Sequence, residues 1–141
     1  MLFRSSGRVD RFHRGLDEAH SGFDEIGLMQ RVGGDPSLAL EVINAYFDDQ
    51  PERLRELSNA LALGDLTQVR RAAHAIKGSS ATVGAPAVAA AARALEELAI
   101  QGQVPLLELA WRRLQEASTD LEASLRDAVA RLGEAETECA R

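Results

Sequence analysis

The chain has 141 residues, 22 acidic against 16 basic side chains, a formal net charge of -6, and 45% hydrophobic but only 4% aromatic residues. That is one domain with a single sizeable core, and its acidic balance argues against nucleic acid as a partner, which calls for a basic surface. No apolar run approaches the ~20 residues of a membrane span or forms a signal peptide, so the protein is expected in the cytoplasm, and the lone Cys139 excludes a disulfide framework or a CxxC redox or zinc pattern.

Residues 1–22 mix Arg4, Arg8, Arg11 and Arg14 with Gly7, Gly15 and Gly22 and show no sustained periodicity. They are expected to form a flexible tether or a remnant of expression, in which His13 and His20 are too isolated to make a metal site. Order is expected from Phe23, where Asp24 is a candidate N-cap and Ile26, Leu28, Met29 and Val32 supply the apolar contacts of a short helix stopped by Gly33-Gly34. No lysine or serine follows those glycines at the spacing of a P-loop. Asp35-Pro36 supplies an N-cap and a proline at the first helical position. Leu40, Ile43, Phe47, Leu54, Leu57 and Leu61 then keep helical spacing to Gly64, and Pro51 predicts a bend near Asp49-Gln50 within one long helix.

Gly64-Asp65 ends that element and caps the next, in which Leu66, Val69, Ala73, Ile76, Ser80 and Val83 step by three and four up to Gly84. Pro86 opens an alanine-rich helix with Val88, Ala91, Ala92, Leu95 and Leu98, ending at Gly102. Pro105 starts the longest one, where Leu107, Trp111, Leu114, Ala117, Leu121, Leu125, Ala128 and Leu132 keep a near-heptad spacing to Gly133. Residues 134–141 are expected to be a disordered tail. Short connections and no strand pattern predict an all-α fold over residues 23–133, an antiparallel up-and-down four-helix bundle with a short additional N-terminal helix.

The chemistry concentrates at His74. It points about 130° from the centre of its helix's apolar stripe, and its neighbours three and four positions away are Arg70, Arg71, Lys77 and Gly78. An imidazole, with an ordinary pKa of about 6.5, offers an unprotonated nitrogen as a nucleophile near neutral pH, and here it stands between positive charge and a gap suited to an anion. Lys77 is the only lysine in the chain, a compact ammonium able to follow an anion where a guanidinium would impose a planar fork. Gly78 costs a helix about 1 kcal/mol relative to alanine. A second protein surface that must approach His74 closely would explain it, and Ser79, Ser80 and Ala81 keep the neighbourhood small.

His74-Ala75-Ile76-Lys77-Gly78-Ser79-Ser80, followed by Gly84-Ala85, resembles the phosphorylation motif of histidine-containing phosphotransfer (HPt) domains of bacterial multistep phosphorelays. Gly64-Asp65-Leu66, Ala72-Ala73 and Leu95-Glu96 extend the likeness over roughly Phe23 to Leu132. The resemblance implies that His74 is the phosphoacceptor, Lys77 its electrostatic partner and Gly78 the small residue under an incoming receiver domain. By their positions on the helix beside these residues, Arg70, Arg71, Ser79 and Ala81 are the further candidates for that contact. It further implies a monomeric phosphoryl carrier rather than an enzyme, with no cofactor or metal of its own. Such a carrier takes the group from a receiver-domain aspartate in a relay headed by a hybrid sensor histidine kinase, and passes it to another response-regulator receiver domain that brings the Mg²⁺. No glycine-rich nucleotide site is present, so the group must come from a partner. Two alternatives stay open, a dimeric histidine-kinase phosphoacceptor domain, although no acidic residue directly follows His74, and a non-catalytic interaction module.

Overall fold

Aspartates open three of the helices, and glycines in the left-handed conformation close three. The structure is a computed structural model and describes residues 22–140, with five helices among them and no strand. α1 (Glu25–Arg31) starts at Asp24, whose carboxylate accepts from the Gly27 N–H at 3.0 Å. α2 (Pro36–Leu63) starts at Asp35, which accepts from the Ser37 N–H at 2.9 Å, and α3 (Leu66–Val83) at Asp65, which accepts from the Gln68 N–H at 3.2 Å. Each cap satisfies an N–H that has no partner within its own helix. α4 (Pro86–Gln101) opens on a proline without a side-chain cap, and α5 runs Val104–Ala140. Gly64, Gly84 and Gly102 close α2, α3 and α4.

α2 packs on α3, α3 on α4, α4 on α5, and α5 returns to α2, so the four long helices close a ring around one core. Ile43, Leu57, Ile76, Leu95, Leu114 and Leu125 are among the fully buried side chains. At about 25 cal/mol per Å² of apolar surface, each such residue contributes roughly 1.5–3 kcal/mol, and their shared burial holds the ring together. α1 packs against α2 and is tied to the α3–α4 turn. The Asp24 N–H donates to the Gly84 carbonyl at 2.7 Å, and Arg31 Nη2 donates to the Thr82 carbonyl at 2.9 Å. No described helix is long and apolar enough to cross a membrane.

α2 runs unbroken through Pro51. Its buried line also differs from the expected one: Ala39, Ile43, Tyr46, Gln50, Leu57 and Ala60 are buried, while Leu40, Phe47, Leu54 and Leu61 flank them half-covered. The predicted end of the last helix at Gly133, with a disordered tail from 134, is corrected: α5 continues to Ala140. Gly133 is not in the left-handed conformation that would stop a helix. The residues after it are mostly good helix formers, which outweigh the ~1 kcal/mol cost of one internal glycine, and the Thr137 hydroxyl donates back to the Gly133 carbonyl. Of the segment 1–22 expected to be a tether, residues 1–21, with His13 and His20, lie outside the described residues, as does the side chain of Cys139.

Candidate functional site

α3 buries Val69, Ala73, Ile76, Ser80 and Val83, and that stripe fixes the rotation of the helix. The opposite face carries His74, whose side chain is 67% exposed. His74, Lys77, Gly78 and Ala81 fall at i, i+3, i+4 and i+7 and make one surface ridge. Arg70 and Arg71 occupy the preceding turn, both exposed. Ser79 is turned elsewhere, half-buried with its hydroxyl donating to the Ile76 carbonyl at 3.2 Å. A Cβ built on Gly78 would meet nothing within 4 Å, so no contact inside this molecule demands glycine there.

The neighbouring helix brings in a group to which the sequence reading gave no role. Leu95 is buried in the core, and the next residue, Glu96, reaches toward α3 with its side chain only 14% exposed. One of its carboxylate oxygens lies 2.7 Å from His74 Nδ1, and the other accepts from Lys77 Nζ at 2.7 Å. The Lys77 hydrogen bond holds the Glu96 carboxyl below its ordinary value of 4.5, opposed by burial and reinforced by His74. The surface is therefore not the uncompensated positive patch that the sequence suggested. It is a three-membered charge cluster with a shared carboxylate at its centre.

That arrangement sets the chemistry of the imidazole. An ionised carboxylate can only accept, so His74 Nδ1 is the donor in this pair, and a neutral ring then keeps its lone pair on Nε2. A signal for Glu96 was present in the sequence. His74 stands eleven residues before Ala85 in the α3–α4 turn and Glu96 eleven after it. Residues equidistant from the turn of a helical hairpin face one another when the two helices run antiparallel, which a two-residue connection favours.

No curated protein and no solved structure gives a match to this chain. Residues 41–135, two-thirds of the chain and the span that includes His74, Lys77, Gly78 and Glu96, match the family described as Hpt domain. The chain belongs to the Hpt domain family, whose members are phosphocarriers rather than kinases and pass phosphoryl groups on histidine to and from receiver domains in phosphorelays.

Proposed function

We propose that this protein is a phosphorelay intermediate in which His74 Nε2 accepts a phosphoryl group from the aspartyl phosphate of one receiver domain and yields it to the aspartate of another. The supporting observation is the Glu96 carboxylate shared between His74 Nδ1 and Lys77 Nζ. In the forward step the Nε2 lone pair attacks phosphorus, the N–P bond forms, the P–O bond to the aspartate breaks, and that carboxylate leaves. The ring becomes a phosphorylated imidazolium that still holds its Nδ1 proton. Glu96 faces that proton and stabilises the new positive charge, as a carboxylate behind a histidine does in other nucleophilic sites. Lys77 follows the phosphoryl oxygens as a point charge. Transfer onward is the reverse attack, by an acceptor carboxylate on phosphorus.

In this reading Gly78 and Ala81 lie under the docked receiver domain, with Arg70 and Arg71 beside it. The ring of α2 to α5 is then an antiparallel up-and-down four-helix bundle, with α1 as the short additional helix, and the protein works as a cytoplasmic monomer downstream of a hybrid sensor histidine kinase. Any Mg²⁺ comes with the receiver domain. The test is incubation with labelled phospho-receiver domains. Label that is acid-labile and base-stable should appear on the parent protein and be absent from His74→Gln, whose melting should be unchanged because the position is exposed. Label retained by that variant would place the phosphoacceptor elsewhere.

A further inference from the structure

The two sides of His74 are not alike. At about 100° per residue, Gly78, Arg71 and Ala75 lie roughly 40°, 60° and 100° round α3 on one side of it, and Lys77 about 60° to the other. Lys77 and His74 both reach Glu96 on α4, so the α4 side is filled by the charge cluster. The α2 side is open. Gly78 adds no side chain there, and a Cβ on it would meet nothing within 4 Å. On that side a groove of about 330 Å³ lies between α2 and α3, floored by the small residues Ala60, Ala72 and Ala75, with Glu56 and Arg71 on its two walls and Leu63, the last residue of α2, also lining it. Leu63 is 81% exposed, a large apolar side chain left in water beside an apolar floor.

We propose that a receiver domain anchors in this α2–α3 groove while its aspartyl phosphate faces His74, and that Leu63, Glu56 and Arg71 select which receiver domains can do so. The inference rests on the phosphotransfer reading above and adds the docking face to it. A specific protein interface covers about 800 Å² on each partner, roughly a disc of 16 Å radius, whereas the axes of neighbouring helices lie only about 8–10 Å apart. A receiver domain seated on His74 must therefore cover ground well beyond the α3 ridge. On the α2 side that ground is concave and apolar at its floor, able to take one protruding side chain, with polar groups at its rim, which is the anatomy of an interface centre. The charges on the two walls specify the complement. The fitting receiver surface carries an apolar side chain for the floor and Leu63, a basic group toward Glu56 on α2 and an acidic group toward Arg71 on α3.

Two phosphodonors separate docking from chemistry: a labelled phospho-receiver domain that phosphorylates the parent, and phosphoramidate, which needs no docking surface. In single-turnover transfer, Leu63→Asp should raise the receiver concentration giving half the limiting rate by at least tenfold and leave the limiting rate nearly unchanged. Its labelling by phosphoramidate and its melting should match the parent, since the position is exposed. Glu56→Arg should weaken docking at least threefold at low salt and less at high salt. Ile100→Asp, at an apolar residue of α4 that is 63% exposed, is the control and should stay within twofold of the parent. A Leu63→Asp protein that docks like the parent, or an Ile100→Asp protein that loses as much, would overturn the proposal and put the anchor on another face. A parent that takes label on His74 from neither donor would overturn the phosphoacceptor reading, and this inference with it.

Discussion

A carboxylate placed between an imidazole and an ammonium serves both, and Glu96 shows why one residue of the cluster escaped the sequence. His74 and Lys77 are neighbours on one helix, so a spacing of three brings them together on any reading of α3. Glu96 becomes their partner only once α4 folds back along α3. Glu96→Gln tests its part in the reaction, because the amide oxygen can still accept from Nδ1 while the charge is lost. Transfer to and from His74 should slow by roughly tenfold, the scale of exchanging a charge-assisted hydrogen bond for a neutral one. The pH dependence of stability has a definite sign. Lys77 first, then His74, hold the Glu96 carboxyl below 4.5 in the folded protein, so its stabilising contribution is fully present above that value and is lost as pH falls through the lower folded value. Denaturant melts at pH 7 and near pH 3 should show a smaller acid-induced loss in Glu96→Gln than in the parent. An equal loss would mean that the Lys77 contact contributes nothing to folding.

Two glycines bracket what a helix can reveal about itself. Gly84 was legible as a stop for α3, and the structure gives it two further reasons to be glycine: its φ is +93°, and a Cβ there would lie 2.8 Å from the Asp24 carbonyl oxygen. Gly78 lies within α3 with open space around it. Alanine should therefore act in opposite directions at the two sites, costing about 1–2 kcal/mol or more at Gly84 and stabilising by up to about 1 kcal/mol at Gly78. Thermal melts of the two variants decide this, and a Gly78→Ala protein that melts lower than the parent would show that the glycine has an internal role. Gly78→Arg should melt no lower than the parent but fail to exchange phosphoryl groups, since a long side chain one turn from His74 would hold a receiver domain beyond the ~3–3.5 Å reach that transfer requires. The ends of the first four helices were readable from local signals of this kind, whereas the buried line of α2 was not. Its middle holds Tyr46, Gln50 and the small Ala39 and Ala60, with larger apolar residues on either side, so a search for the most hydrophobic stripe lands to one side of the true centre.

At the scale of the molecule, the question is where cooperative packing ends along α5, which outruns the rest of the ring. The near-heptad seam from Leu107 to Leu132 was legible because the core selects large apolar side chains at regular intervals, and Leu114, Leu121, Leu125 and Ala128 are all buried. The continuation past Gly133 was hidden because no apolar pattern marks it. Leu132, at 5% exposure, is the last buried side chain among those described. Beyond it the helix is held by its own backbone bonds and by exposed contacts, such as that between the Ser37 hydroxyl and Glu136, and exposed polar contacts of this kind contribute about 0–1 kcal/mol. The last turns should thus be helical yet nearly irrelevant to stability. Ending the chain after Gly133 should lower the melting temperature by no more than about 4 °C and leave phosphotransfer unchanged, while Leu114→Ala, which opens a cavity at the centre of the ring, should cost about 2–5 kcal/mol. Circular dichroism melts of the two proteins, compared with the parent, separate the cases. A truncated chain that loses as much stability as Leu114→Ala would show that the end of α5 belongs to the cooperative fold, and that the contact between Glu136 and the start of α2 closes the ring rather than decorating it.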